Sequence, residues 1–364
     1  MYPLALRFPM RTLRVVAVLV LAAGALGLAP HAAAIDDEVA ARLTRQIDAL
    51  AGFFQAGGSQ IPPGKLGDAL IDGKARNQLF RLESLLRLYV RAHSDLEKYR
   101  RAVKELEDGL GAHTFAADSL SFARSIFKEE NQTRTPDAAR VAAQEQVLKR
   151  LETDRDVARG VFRQLAAKST LGSDLPRLRA LVVSRFANWS TSRELTYVKS
   201  ELERMLTNVR EGRFDFNKLE EGIHEFRRRL RWIPIVIDSL DGLILARDEP
   251  PGVCPIPALE KLAGSSAANH RYSNPPLRFP ATRPCSISRC LLWQVVQATN
   301  DLGRIKDDAQ GNTAIAAALD NDIYVASSKH VTPEEIARAK AIRTELFNSR
   351  ALESLMDQIH SCKS

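Results

Sequence analysis

Residues 219–240 combine an apolar face with a strongly basic one. On a helix that turns about 100° per residue, His224, Arg227, Arg228 and Arg231 are spaced i, i+3, i+4 and i+7 and share one side. The other side is an apolar stripe of Leu219, Ile223, Phe226, Leu230, Ile233 and Ile237. Guanidinium groups bind phosphate and carboxylate oxygens, two at a time. A row of such groups suits a long anion, and we call these four residues the basic face.

A second basic segment begins at His93. Arg100 stands seven residues after this histidine, which is the same interval as in the basic face, and Arg101 and Lys104 follow. If the segment is helical, His93, Arg100 and Lys104 share one side of the helix. The alternative to an anion-binding role is that His93 is an exposed histidine among alternating charges, because Asp95 and other acids lie within the same segment.

These two His-led helices resemble the CHAD family, the conserved histidine α-helical domain. The match is clearest in His224-x-x-Arg227-Arg228-x-Leu230-Arg231, which is similar to the family pattern His-x-x-Arg-x-x-x-Lys/Arg-x-x-Arg. Two departures stand out: Leu96 occupies the first basic position after His93, and Ile235 stands eleven residues after His224, where the first copy has Lys104.

The resemblance covers residues 74–247 and implies two antiparallel four-helix halves. In the family, basic helices from both halves line a central cationic surface that binds inorganic polyphosphate. The anion-binding residues implied here are His93, Arg100, Arg101, Lys104, His224, Arg227, Arg228 and Arg231. Histidine titrates near pH 6.5, so such a site would bind anions more tightly when its histidines are protonated.

The first 34 residues have the composition of a signal peptide. Arg11 and Arg14 precede an uncharged apolar run, and Ala32-Ala33-Ala34 offers a small-x-small cleavage site. The apolar run is short for a membrane span of about 20 residues, so an uncleaved anchor is the weaker alternative. We therefore expect cleavage near Ala34 and a protein that is periplasmic or secreted.

Composition favours a helical globular protein. Hydrophobic residues make up 45% and charged residues 26% of the chain, whereas aromatics (6%) and 19 glycines are few for an all-β protein. Residues 1–34 contain three arginines and no acid, so their removal lowers the formal net charge from +8 to +5. That mild excess argues against a general nucleic-acid binder. Any argument from charge must therefore be local.

The four cysteines, Cys254, Cys285, Cys290 and Cys362, all lie in the last third of the chain. An even number in an exported protein predicts two disulfides, with all three pairings open. A metal site is the weaker alternative, because Cys285 and Cys290 have no histidine nearby. Prolines are frequent in residues 248–289, which predicts irregular structure there, and Thr332-Pro333-Glu334-Glu335 predicts a helix start with a capping box.

The sequence thus predicts an all-α protein, with two antiparallel helical-bundle halves and a disulfide-containing, partly irregular C-terminal extension. The predicted segments are a signal peptide (1–34), an N-terminal helix and linker (35–73), a CHAD-like helical domain (74–247) and a cysteine-containing C-terminal region (248–364). Whether the C-terminal region forms a separate domain stays open.

Three classes of function are consistent with these patterns. The first is an exported protein that binds polyphosphate or a similar polyanion. The second is a periplasmic scaffold or interaction protein whose basic face meets an acidic envelope protein or an anionic membrane surface. The third, a hydrolase of phosphorylated compounds, has least support, because HExxH, GxSxG, P-loop and GxGxxG motifs are absent. We expect binding without catalysis, and no cofactor or metal.

A solvated surface is the competing interpretation of the basic face. Its arginines could pair with Glu220, Glu221 and Glu225 on the same helix, since acids three or four residues away are neighbours. Under the second interpretation the arginines of this face are paired with those acids.

Overall fold

Helices account for nearly all of the ordered secondary structure. The computed structural model describes residues 38–133, 137–248, 256–275, 284–319 and 331–362. The helices are α1 (Glu38–Ala51), α2 (Pro63–Asp72), α3 (Arg76–Tyr89), α4 (Glu97–Thr133), α5 (Ala138–Lys168), α6 (Leu171–Phe186), α7 (Thr191–Glu211), α8 (Glu225–Ser239), α9 (Ile256–Ala263), α10 (Arg289–Leu319), α11 (Pro333–Asn348) and α12 (Ala351–Ser361). The predicted signal peptide lies outside the described residues.

Short strands and tight turns connect some of these helices. Strands β1 (Gln55–Ala56) and β2 (Ser59–Gln60) form an antiparallel pair, and β3 (Ile244–Arg247) and β4 (Cys285–Ser288) form a parallel pair. Single 3₁₀ turns occur at Gly52–Phe54 and Ser94–Leu96, and a π-helix spans Leu219–His224. The all-α class is therefore confirmed.

Polar side chains cap several helix starts where the sequence supplies them. Asp137 accepts a hydrogen bond from the backbone N–H of Arg140 (2.8 Å), and Ser190 accepts one from the backbone N–H of Arg193 (3.2 Å). The capping box at Thr332 is confirmed, because its hydroxyl and the Glu335 carboxylate each accept a hydrogen bond from the other's backbone N–H. Such caps satisfy N–H groups that have no partner inside the helix.

The helices fall into two packed groups. In the first, α3 and α5 pack on α4, α2 packs on α5, and α1 packs on α3 and α6. In the second, α8 packs on α7 and α10, and α10 packs on α11 and α12. The contact of α3 with α8 joins the groups, and α10 also touches α4 and α5. One hydrophobic core runs through both, from Val39 in α1 to Ile359 in α12.

Two predicted segments take part in this core more than the sequence indicated. The linker expected before residue 74 contains α2, where Leu66 and Leu70 are buried. A proline at the first helical position starts this helix, whereas the run of prolines and glycines had indicated a loop. The C-terminal region likewise packs on the bundle, since α10 and α12 contribute Leu292 and Leu355 to the shared core.

One disulfide closes the C-terminal region. Cys285 in β4 is bonded to Cys362 just after α12, which ties the end of the chain to the parallel strand pair. Cys290 is also disulfide-bonded, and the fourth predicted cysteine, Cys254, lies outside the described residues. The prediction that the cysteines form disulfides is thus confirmed for the three cysteines that the structure describes.

A buried ion pair links the first helix to the second group. The Arg42 guanidinium donates to the Glu194 carboxylate (2.7 Å), and both side chains are fully buried. The Tyr89 hydroxyl donates to the other carboxylate oxygen of Glu194 (2.6 Å), and burial raises the pKa of Tyr89 well above its ordinary value. Two buried charges are tolerated because each has its partner within hydrogen-bond distance.

Replacing Arg42 with methionine should lower the free energy of unfolding by about 3–5 kcal/mol, because the buried Glu194 carboxylate then loses the charge of Arg42. Urea denaturation measures the change. The matched control is Arg179→Met, since Arg179 pairs with Asp48 at a solvent-exposed site and should matter by less than about 1 kcal/mol. Equal losses in the two variants would contradict the structural role of the buried pair.

Candidate anion-binding cleft

Helix α8 carries the basic face and is oriented by its apolar side. All six residues of the apolar stripe are at most 1% exposed. The helix continues through Pro234 to Ser239, so this proline does not divide it. The predicted helix is therefore confirmed over Glu225–Ser239, whereas Leu219–His224 forms a π-helix in place of its first turns. Since the apolar stripe is buried, the basic face projects away from the core.

A π-helix positions His224 at the start of α8. Within it, a Cβ atom on Gly222 would lie 1.9 Å from the carbonyl oxygen of Asp215, so only glycine fits. His224 Nδ1 and Glu220 Oε2 form a hydrogen bond (2.6 Å), and Gln310 of α10 donates to the other oxygen of Glu220 (3.0 Å). These bonds, that of His224 foremost, lower the pKa of Glu220. Isolated π-helical turns are rare and occur often at functional sites.

The basic face lines a cleft of about 980 Å³. Its walls come from α3, α4, α7, α8, α10 and residues 270–272, so both helical groups and the C-terminal region contribute. The charged residues that line it are Arg76, Arg87, Lys104, Arg204, Arg227, Arg228, Arg229, Arg231, Arg271 and Lys306, with Glu83, Glu107, Asp108, Asp118, Glu225 and Asp307. Ten basic residues against six acidic ones leave a local excess of four positive charges, before His224 and His270 are considered.

Most of these cations already have a carboxylate partner. The pairs are Arg76–Glu107 (3.0 Å), Arg87–Glu83 (2.9 Å), Lys104–Asp108 (2.5 Å), Arg204–Glu201 (2.7 Å), Arg228–Glu225 (2.5 Å), Arg229–Glu225 (2.8 Å) and Lys306–Asp307 (2.9 Å). For Arg228 and Arg229, pairing within the helix is what the solvated-surface interpretation predicts. A paired guanidinium has fewer free donors for a ligand.

Arg227 and Arg231 differ from these neighbours. Neither forms an ion pair with a carboxylate of the described residues, although both are partly buried in the cleft wall. Arg227 donates from Nε to the backbone oxygen of Thr299 (3.2 Å), whereas Nε of Arg231 is buried without a hydrogen-bond partner. Burial lowers the pKa of both arginines, and burial together with the charge of Arg227 lowers that of Arg231 to about 10.

Aromatic rings hold Arg231 in place. Its guanidinium carbon lies 4.6 Å from the centre of the Phe80 ring and 5.7 Å from that of Trp232. Phe80 and Trp232 themselves pack edge to face and form a small buried cluster with Ile235 and Tyr272. Cation–π contacts position a guanidinium while leaving most of its hydrogen-bond donors free. Arg231 is thus preorganised toward the cleft.

Glycines in neighbouring helices make room for two cleft arginines. A Cβ atom on Gly303 of α10 would lie 2.9 Å from Nε of Arg227, and one on Gly111 of α4 would lie 2.8 Å from Nη2 of Arg76. Glycine inside a helix costs about 1 kcal/mol relative to alanine, so such positions indicate a close approach. This was the one sequence signal that could have identified Arg76 and α10 as parts of the site.

The predicted anion-binding residues divide into two sets. The structure brings His224, Arg227, Arg228, Arg231 and Lys104 together in the cleft. The other three, His93, Arg100 and Arg101, are not among its lining residues.

His93 does not begin the helix that the sequence pattern assumed. It caps the 3₁₀ turn Ser94–Leu96, and α4 begins only at Glu97, so the helical spacing from His93 to Arg100 does not apply. Its ring lies 4.8 Å from that of Phe186 and 5.6 Å from that of Trp189, centre to centre. Burial lowers the pKa of His93, which favours the neutral ring.

Arg100 and Arg101 share one carboxylate. Both donate to Glu97, at 2.6 Å from Nε of Arg100 and 2.8 Å from Nε of Arg101. These bonds, that of Arg100 first, lower the pKa of Glu97 to about 2. The pairing of this first basic segment follows the solvated-surface interpretation.

Comparisons with protein-family models, with curated proteins and with solved structures found no match for this chain. The resemblance to the CHAD family therefore stays a prediction. Among the described residues, no three His, Cys, Asp or Glu side chains are grouped as metal ligands would be, and no helix combines the length and apolarity needed to span a bilayer.

Replacing Arg231 with glutamine should leave the free energy of unfolding within about 1 kcal/mol of the wild-type value. The lost cation–π contacts are worth about 0.5–1 kcal/mol, and relief of the repulsion from Arg227 offsets them. Arg76→Gln is the matched comparison in the same cleft. It should cost about 1–3 kcal/mol, because it leaves the buried Glu107 carboxylate unpaired. Urea denaturation of both variants decides, and a loss for Arg231→Gln as large as that for Arg76→Gln would contradict the assignment of Arg231 as unpaired.

Proposed function

We propose that this protein binds a polyanion in the cleft, with phosphate groups on Arg227 and Arg231, and that inorganic polyphosphate or a similar polymer is the ligand. The observation that carries the proposal is that these two arginines lie one helical turn apart, partly buried and without carboxylate partners among the described residues, while most of the cations around them are paired. A cleft of about 980 Å³ has room for several phosphate groups.

Electrostatics favour an anion at this position. Two unit charges 4 Å apart interact by about 1 kcal/mol in water and about 4 kcal/mol at the effective dielectric constant near a protein surface. The two guanidinium groups repel each other until an anion lies between them. Arginine also offers paired N–H donors that match phosphate oxygens, which lysine does not.

Export forms part of the proposal. Cys285, Cys290 and Cys362 are disulfide-bonded, and disulfides persist mainly in oxidising compartments such as the periplasm. The alternative, a scaffold whose basic face meets an acidic envelope protein or an anionic membrane surface, would use a flatter and more exposed surface. The concave position of Arg227 and Arg231 supports a ligand that enters the cleft.

The direct test is a calorimetric titration with polyphosphate at several salt concentrations. The double variant Arg227→Gln/Arg231→Gln should bind about a hundredfold more weakly, because each charge-assisted hydrogen bond contributes about 1.5 kcal/mol. The slope of log affinity against log salt should also become shallower, since fewer counterions are released when fewer cations meet the chain.

The matched control is Arg101→Gln/Arg177→Gln, which removes the same charge from side chains that are 76% and 80% exposed. Its affinity should stay within about threefold of the wild-type value if binding is local. Equal losses in the two double variants would mean that net charge alone attracts the polymer. If the wild-type protein does not bind polyphosphate, the proposal is wrong and the scaffold alternative is favoured.

A second test changes the site without changing charge. Gly303→Ala pushes a methyl group against Nε of Arg227, so the guanidinium must move and its bond to Thr299 weakens. We expect polyphosphate affinity to fall several-fold. The free energy of unfolding should change by no more than about 1 kcal/mol, because alanine has a higher helix propensity than glycine. Gly160→Ala in α5 meets no neighbouring atom and should raise stability without altering affinity. Unchanged affinity in Gly303→Ala would place the anion away from Arg227.

A further inference from the structure

A second cavity adjoins the cleft at Arg227. It has a volume of about 540 Å³ and shares Arg227, His270, Arg271, Asn300 and Asp307 with the cleft. We call it the side cavity. Since its lining and that of the cleft meet at these residues, a ligand held by Arg227 can extend from one into the other without leaving the protein surface.

The side cavity is basic, and apart from Arg227 its lining residues belong to the C-terminal region. It adds Arg304, which is 61% exposed and makes a long ion pair with Asp301 (3.6 Å) and a hydrogen bond to Ser266 Oγ (3.3 Å). Arg271 is exposed and forms no ion pair with a carboxylate of the described residues. Asp307, the acid that the side cavity shares with the cleft, is already paired with Lys306. Three guanidinium groups therefore surround this cavity, with one partnered acid among them.

We infer that the side cavity is a second phosphate subsite and that the ligand is a linear chain with phosphate groups on both sides of Arg227. Arg227 and Arg231 hold one part of the chain in the cleft, and Arg271 and Arg304 hold the next. This inference rests on the proposed function and deepens it. It assigns the second set of contacts to residues outside 74–247, where no CHAD resemblance exists, instead of to the paired arginines at the start of α4.

Chain length distinguishes a two-part site from a single one. A single phosphate or a pyrophosphate needs only the cleft arginines, whereas a longer chain gains contacts when it reaches the side cavity. Longer chains also bind more tightly for a statistical reason, because they offer more registers. That gain does not depend on Arg271 or Arg304, so it is the same in variants that lack them.

The experiment measures the affinity of pyrophosphate, tripolyphosphate and a longer linear polyphosphate by calorimetry at constant ionic strength. The variant Arg304→Gln removes a charged side chain that lines the side cavity and not the cleft. It should bind pyrophosphate as the wild type does, but should lose about threefold of the affinity gained with length, as expected for one exposed charge contact. Arg177→Gln, which removes equal charge elsewhere, should keep the full gain. Thermal unfolding checks that all proteins are folded.

The outcomes separate this inference from the function on which it rests. If the length gain is as large in Arg304→Gln as in the control, the second subsite is wrong while binding in the cleft stands. Loss of pyrophosphate affinity in that variant would also overturn it, because Arg304 would then belong to the first subsite. If the wild type binds none of the three ligands, the proposed function is wrong and this inference is wrong with it.

Discussion

Burial of the apolar stripe on α8 and on the π-helix before it is the constraint on which the site depends. Full burial of one large aliphatic or aromatic side chain contributes about 1.5–3 kcal/mol, so the six residues of the stripe together contribute about 9–18 kcal/mol. Rotation of α8 about its axis would expose them and bury Arg227 and Arg231 in the core. The helix therefore has one orientation, and that orientation directs both arginines into the cleft. Leaving two guanidinium groups unpaired costs less than losing this packing.

The acids around the basic face explain why Arg227 and Arg231 form no ion pair within the described part of the chain. Glu225 already binds Arg228 and Arg229, and Glu107 binds Arg76 from α3. These two carboxylates of the cleft are thus already paired with neighbouring cations, and the remaining positive charge lies in a partly desolvated wall. Buried charges elsewhere in the chain are treated differently, since Arg42 in the core has two carboxylate partners. Charged groups whose pKa values are shifted by burial and by neighbouring charges often lie at functional sites, and Arg231 is such a group in a cleft.

The C-terminal region completes the site and is no mere appendage to the bundle. Helix α10 packs on α4, α5 and α8, and it supplies the glycine that admits Arg227 and the carbonyl group that binds its Nε. Tyr272 from the irregular segment closes the aromatic cluster under Arg231. The disulfide between Cys285 and Cys362 ties β4 to the end of α12 and so helps to hold this wall together. The site is therefore built from α8, α10 and the segment that contains Tyr272, which are far apart in the sequence.

The amino-acid sequence by itself determined the helical class, the faces of α8 and the disulfide-bonded state of three cysteines, because each depends on local periodicity, composition or residue type. It did not determine which charges remain free. Arg100 and Arg231 occupy equivalent places in the sequence pattern, yet Arg100 binds Glu97 three residues before it, and Arg231 lies on Phe80 from a distant helix. The cleft itself arises from contacts between residues far apart in the chain. So does the close approach of Arg227 to Gly303, and so do the ion pairs between different helices. Such contacts exist only after the helices pack, so the tertiary structure alone decided them.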